Sequence, residues 1–363
     1  MVLSLYPLYL IVYLKCSKSI LGLIDGISEA ISYFLRPISG KLSDKVGKRK
    51  SLALLGYLIS NISKPLLALT STWGQVLLVR VADRIGKGIR TAPRDALLSS
   101  SVNEREAGRA FGLHRTLDQA GAVIGPLIAT ALVTLMDLRK VFLASLLPGS
   151  TALIVLYLLV REVEVRKANI IGLDTKTVSG RLKLVLTSLA LLYLATFTPS
   201  FILVGAREAN LSTSLIPLIY ALLNFLHASL GLPIGALTDR VGGERALIVG
   251  YFFITLTSLI ALLSPFNFIS IMIVASTYGC YLGVLDTVPR ALIPTYVPPS
   301  RRGTVYGIYY LLAGISSFVG NSLFGYLWSS RGVKAAFGYS LSLSLLSLTI
   351  LIFTLVNKRD PHQ

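Results

Sequence analysis

Charge is scarce in this chain. Of its 363 residues only 14% are Asp, Glu, Lys or Arg, where a soluble domain carries about 25%. Acidic side chains are scarcest, 17 against 35 lysines and arginines. Cysteine is nearly absent: Cys16 and Cys280 stand apart in apolar surroundings. That excludes a disulfide framework and a cysteine metal site, and leaves two small packing residues. There is no G-x-x-x-x-G-K-[ST] phosphate loop, no H-E-x-x-H and no C-x-x-C. ATP is therefore not expected as a direct energy source, and no cofactor or metal is expected. Long polar stretches are missing as well, except for residues 161–181.

What fills the chain instead is apolar. Hydrophobic residues make up 53% and mean hydropathy is +0.70. Apolar runs of spanning length, roughly 20 residues, recur throughout. Twelve are read, at 1–14, 20–42, 51–70, 73–93, 107–136, 140–160, 182–205, 212–236, 245–264, 268–290, 304–330 and 333–356. A bilayer requires backbone polar groups to be satisfied internally, so the runs are expected as helices. The polar stretch 161–181 reads as a linker between six-helix halves, 1–160 and 182–363.

The halves repeat. Gly40-x-Leu42-x-Asp44-x-Val46-Gly47 recurs as Gly235-x-Leu237-x-Asp239-x-Val241-Gly242, 195 positions later (239 − 44). Gly108-x-x-Phe111-Gly112 and Gly303-x-x-Tyr306-Gly307 keep the same offset (303 − 108), and Gly125 and Gly320 continue it. Parallel repeats in a membrane protein point to a transporter with its site between the halves. The register also places the partner of the seventh run upstream of Met1, so the first run reads as a truncated helix, either because translation starts upstream or because half of that helix has been lost.

The net charge of +18 would suggest nucleic acid in a soluble protein. Its placement excludes that partner. Lys41, Lys45, Lys48, Arg49 and Lys50 lie between runs two and three. Arg105, Arg109, Arg161, Arg166, Lys167, Lys176, Arg240, Arg245, Arg301, Arg302, Lys358 and Arg359 fall in further alternate loops and the C-terminus. The opposite loops hold Lys15, Lys18, Arg139, Lys140, Arg207, Arg331 and Lys334. The asymmetry predicts a multi-pass cell-membrane protein with a cytoplasmic C-terminus. Anionic lipid is the expected partner of the excess charge.

The repeated loop carries a family resemblance. Gly40-x-x-x-Asp44-Lys45-x-Gly47-Lys48-Arg49-Lys50 resembles the signature loop between helices two and three of the major facilitator superfamily (MFS), and Asp239 lies in its degenerate copy. The resemblance implies a twelve-helix, all-α membrane protein of two pseudo-symmetric bundles. It implies a latch, formed by Gly40, Asp44, Lys45, Gly47, Arg49 and Asp239, that holds one side closed. Gly86-Lys87-Gly88-x-Arg90-x-x-Pro93-Arg94-Asp95 is similar to a block in a prokaryotic permease subgroup of undefined substrate. It departs from the superfamily's usual fourth-helix motif in the spacing of Arg80 and Arg84. Gly121-x-x-x-Gly125-Pro126-x-x-Ala129 resembles the fifth-helix antiporter motif with its closing glycine replaced. Physically, Gly121 and Gly125 permit close packing and Pro126 bends the helix.

Charges inside the runs mark candidate coupling sites. On run two, Asp25, Glu29 and Arg36 share a narrow arc. Asp25 reads as wet, near the outer end, so Glu29 is the stronger proton site. On run four, Arg80, Asp83, Arg84 and Lys87 share one face, and they can equally neutralise one another. On run five, His114 and Asp118 are one turn apart with Arg115 beside them. The C-terminal half offers Tyr220, Asn224, Tyr278, Tyr281, Tyr309, Tyr310 and Asn321 as substrate contacts or packing. Asp286 and Arg290 are its main buried charges, His227 reads as packing, and Arg207 and Glu208 as an outer loop.

Three functions follow. A monomeric secondary transporter, exporting a small organic solute against protons, explains the duplication, loop motif and buried charges together. Uptake, or a metal-ion cargo, is the alternative on the same fold. A membrane enzyme acting on a lipid is the second class, and a non-transporting scaffold or sensor the third.

Overall fold

The computed structural model describes residues 1–101, 107–162, 179–296 and 302–356. Most of the expected linker and several loop cations, among them Arg105, Arg166 and Lys358, lie outside the described residues. Asp44 and Arg115 are described by their backbone alone.

Among the described residues the chain is helical and has no strand. The helices are α1 (Val2–Leu8), α2 (Lys18–Val46), α3 (Arg49–Leu66), α4 (Trp73–Ser100), α5 (Ala107–Leu135), α6 (Leu138–Ala144) and α7 (Leu146–Leu159). They continue as α8 (Gly180–Ala195), α9 (Pro199–Glu208), α10 (Ile216–Val241), α11 (Gly243–Leu263), α12 (Phe268–Tyr296), α13 (Arg302–Arg331) and α14 (Val333–Val356). A π-helical turn, Tyr9–Tyr13, extends α1.

Nine of the described segments are long and apolar enough to cross a bilayer. The exceptions are informative. Helices α2 and α4 have 29 and 28 residues, ample length at about 1.5 Å per residue, but they carry the buried charges. The first run, Val2–Tyr13, is short.

Local sequence explains the ends. Ser17 caps α2, its side chain accepting from the Ile20 amide at 3.4 Å. Gly47 closes α2 at φ +70°, a conformation glycine adopts at no steric cost. Thr72 and Gln75 form a reciprocal capping box at the start of α4. Two runs read as single helices are broken. The run at 140–160 divides at Ser145 into α6 and α7. The run at 182–205 ends at Ala195 and restarts at Pro199, with Thr198 as N-cap. Pro199 cannot donate to a preceding turn and restricts the residue before it.

Helix α2 lies along α13, α5 along α10, and α1 against α9. Helices α3 and α4 pair closely, as do α11 with α12 and α8 with α14. The α2–α13 contact is backbone on backbone at one end. A Cβ placed on Gly22 would strike the Asn321 carbonyl, and one on Gly325 the Lys18 carbonyl. Contact persists to Gly314, which faces Tyr33 and Phe34. Beyond it the helices part: a Cβ on Gly307, or on Gly121, Gly231 or Gly235 of α5 and α10, would meet nothing within 4 Å. The N- and C-terminal helices therefore converge at the Lys18 end and diverge toward the Gly47 end.

Candidate functional site: a charge ladder between α2 and α4

Helix α2 aims two carboxylates at α4, and α4 answers with two guanidinium groups. Arg80 Nη2 donates to Asp25 Oδ1 at 3.0 Å. One turn along both helices, Arg84 Nη2 lies 2.6 Å from Glu29 Oε1. Asp83, on the same face of α4, is 3.5 Å from Lys64 Nζ of α3 and 3.8 Å from Arg80 Nη1. Charges in apolar surroundings are stable only when paired in this way. The expected neutralisation within α4 is therefore minor, and the main partners lie across helices.

Asp25 is the most connected of these residues. It is 1% exposed, so it is buried rather than wet. The Tyr6 hydroxyl of α1 donates to Oδ1, and the Arg80 guanidinium stacks 4.4 Å over the Tyr6 ring. Thr198 Oγ1 donates to Oδ2 at 2.7 Å. The Thr198 amide donates to Asn321 Oδ1 of α13 at 2.8 Å. One carboxylate thus ties α1, α2 and α4 to the break between α8 and α9. Sequence reasoning missed Tyr6, Lys64 and Thr198. The Thr-Pro pair at 198–199 was a legible helix-start signal; nothing in the sequence marked Tyr6 or Lys64.

Access to water rises along the ladder. The side chains of Asp83 and Arg84 are each 9% exposed and Glu29 21%; off the ladder, toward the Gly47 end, Arg290 of α12 is 44% exposed. Exposure thus rises from the Lys18 end toward the Gly47 end, where α5, α10 and α13 have lost close neighbours at Gly121, Gly231, Gly235 and Gly307. There His227 Nε2 of α10 lies 3.1 Å from Asp286 Oδ2 of α12, and Arg290 Nη2 3.6 Å from Asp286 Oδ1. His227 thus joins a polar cluster rather than serving as packing alone.

Aromatic side chains gather near the same charges. Arg36 lies 4.5 Å over Tyr33 and 5.3 Å over Tyr310. Tyr309 shares a hydroxyl contact with Tyr193 at 2.7 Å, and Tyr281 with Thr196 at 2.5 Å. The Tyr278 hydroxyl donates to the Phe197 carbonyl, and Asn224 Nδ2 donates to the Tyr220 carbonyl at 2.7 Å. Of the C-terminal candidates, Tyr278, Tyr281 and Tyr309 are buried in helix packing, while Tyr220 and Tyr310 remain half-buried.

The remaining candidates are dispersed. Asp239 and Lys45 are exposed, and Asp239 makes no ion pair among the described residues. Arg49 is buried, with Nη1 donating to the Ala96 carbonyl at 3.2 Å. Gly40 lets α2 approach Ala92 of α4, where a Cβ would sit at 3.4 Å. His114 is half-buried and Asp118 exposed on α5. Gly121 meets no close neighbour, contrary to the tight packing expected there; Gly125 faces Met1, and Pro126 lies inside α5. Glu208 ends α9, with an ion pair to Lys18.

A helical bundle with paired charges at membrane depth, dry at one end and open at the other, defines a polytopic membrane transporter. The Major Facilitator Superfamily profile matches residues 1–280 and 184–363, and the chain belongs to that family. It is 30% identical to an uncharacterized MFS-type transporter, MJ1317, of Methanocaldococcus jannaschii, over 92% of this chain and 85% of that one. It is 25% identical to the multidrug resistance protein MdtG of Proteus mirabilis, over 94% of this chain and 86% of that one. A crystal structure of a bacterial homolog of the human lysosomal transporter Spinster, inward-facing and occupied, superposes with a TM-score of 0.79. That comparison has 17% identity, over 99% of this chain and 94% of that one.

Proposed function

We propose that this chain is a secondary transporter of twelve crossing passes in two six-helix bundles, 1–160 and 182–363, which rock about a central site. In this count α1 with its π turn, α6 with α7, and α8 with α9 are single passes. The loops rich in Lys and Arg, and the C-terminus, lie in the cytoplasm of a cell-membrane protein. The open end is then the cytoplasmic one. The latch of Gly40, Asp44, Lys45, Gly47, Arg49 and Asp239 closes that end in the alternate state.

Transport is coupled to protons through Asp25 and Glu29. The observation that carries this reading is the Asp25 carboxylate, which holds Arg80 within the N-terminal helices and Thr198 among the C-terminal ones. A charged acceptor strengthens hydrogen bonds roughly twofold. Protonating Asp25 weakens the tie to Thr198 and favours opening at the Lys18 end; deprotonation restores it. Glu29, one turn nearer the open end and more exposed, relays protons to the cytoplasm. Export of a small organic solute is favoured by the relation to MdtG and by the fifth-helix motif. The protein works as a monomer with lipid around it.

The test is proton flux in proteoliposomes, read with an internal pH dye while a solute panel is applied. Solute-dependent flux that Glu29→Gln abolishes, with solute counterflow retained, supports coupled transport. Counterflow with no proton movement removes the coupling. Neither activity, from folded protein, favours the scaffold reading. Lipid turnover without a gradient would favour the enzyme.

A further inference from the structure

The charge ladder leaves cations over. Asp25, Glu29 and Asp83 are taken by Arg80, Arg84 and Lys64. Arg36 of α2 and Lys87 of α4 remain. Among the described residues neither makes an ion pair, and the Lys87 ammonium makes no hydrogen bond. Arg84, Glu29, Arg36 and Arg90 are charged groups near Lys87, three of them cations. Both side chains are half-buried, where an unmatched charge is costly.

The surroundings of Arg36 add a second observation. Its guanidinium sits on Tyr33 of α2 and Tyr310 of α13, so it joins the two sets of helices. Its Nε is buried without a hydrogen-bond partner, as is that of Arg84. Buried donors normally find acceptors. Tyr33 and Tyr310 stack at 6.1 Å with an interplanar angle of 26°, and Tyr33 meets Tyr193 edge-on at 6.0 Å. Unmatched donors therefore stand beside aromatic faces. At the rim Arg290, on the opposite side, is paired with Asp286 by a long contact, so neither group is left as a free charge there.

A cationic cargo would add to this excess, and the carboxylates it would need are occupied. A neutral cargo would leave the donors unmet. Resting on the transporter reading above, we propose that the cargo is an organic anion, its acidic head held by Arg36 and Lys87 and its apolar body by Tyr33 and Tyr310. Head and body are recognised by different means. Charge-assisted hydrogen bonds set the sign, while ring faces accept flat or aliphatic surface of many shapes.

The probes are three benzene derivatives of like size: benzenesulfonate, benzyltrimethylammonium and benzyl alcohol. Binding to the purified full chain is read by thermal stabilisation, and transport by counterflow in proteoliposomes. Benzenesulfonate is expected to bind at least tenfold tighter than either other probe. Lys87→Gln and Arg36→Gln should each weaken it roughly tenfold, the worth of a charged hydrogen bond, and Lys87→Arg should restore most of the affinity. Preference for the ammonium or the alcohol, no sulfonate binding at millimolar concentration, or an unchanged affinity in folded Lys87→Gln overturns the proposal.

Thiol accessibility separates this outcome from failure of the transporter reading. Single cysteines at Ser329 and Gly307 report the two ends without reference to cargo. If their accessibility exchanges with pH while the sulfonate is ignored, the anion falls and the transporter stands. If the sulfonate binds and the ends never exchange, the anion site stands and the transporter reading falls.

Discussion

Glu29 Oε1 and Arg84 Nη2 are 2.6 Å apart, and this pair repeats Asp25–Arg80 one helical turn further from the closed end. The two rungs align because both helices space their charges by four residues and pack side by side. Their environments differ: the outer rung is dry and the inner rung is partly wet. That difference suits two carboxylates for successive steps of one proton path.

The outer rung should behave as a buried ion pair. Asp25→Leu alone leaves Arg80 buried with only its long contact to Asp83, at a cost of up to about 3–5 kcal/mol. The double variant Asp25→Leu, Arg80→Leu should recover most of that stability. Thermal unfolding of both in detergent checks this; a double variant no better than the single would refute the pairing as the source.

Lys18–Glu208 is the contrasting case. Its side chains are 25% and 39% exposed, so Lys18→Met should cost at most about 1 kcal/mol. Any effect should shrink with added salt, which the same melting assay reads.

Closure at the Lys18 end depends on bare backbone contact. Gly22→Val places a side chain against the Asn321 carbonyl; overpacking of this kind costs about 1–3 kcal/mol. The cost falls on the converged state, so a cysteine at Ser329 should label severalfold faster with an impermeant maleimide. Unchanged labelling would mean that the contact is not what seals this end.

Thr198→Val removes the hydroxyl that donates to Asp25 Oδ2 but keeps the side-chain volume. Loss of one such bond to a charged acceptor is worth about 1.5–3 kcal/mol. The variant should open the Lys18 end as Gly22→Val does, read by the same maleimide labelling. Unchanged labelling would mean that the Thr198–Asp25 bond does not hold this end closed.

At the other end, Glu244 in the first turn of α11 accepts from Arg181 Nε of α8 at 2.7 Å, from Arg181 Nη2, and from Tyr296 of α12. Glu244→Ala should cost about 1.5–3 kcal/mol by unlinking three helices. Arg181→Lys should recover little, since an ammonium cannot form the two-pronged contact. Melting temperatures of both variants decide it.

Composition and periodicity alone determined that this chain is a helical membrane protein, because apolar runs of bilayer length permit little else. The loop motif at residues 40–50, together with the twelve runs and the internal duplication, carried the resemblance to its family. Spacing also determined which charges share a face: Asp25 with Glu29 and Arg36, Arg80 with Asp83, Arg84 and Lys87. Only the tertiary structure decided the partners, because ion pairing depends on the register between α2 and α4, which no single helix encodes. Register turned Asp25 from a wet outer residue into the buried junction with Thr198, and a Pro199 break brought Thr198 there. It also decided what is left over. Arg36 and Lys87 look like their neighbours in sequence, and only packing shows that Glu29 pairs with Arg84 and that, among the described residues, Arg36 and Lys87 themselves make no ion pair.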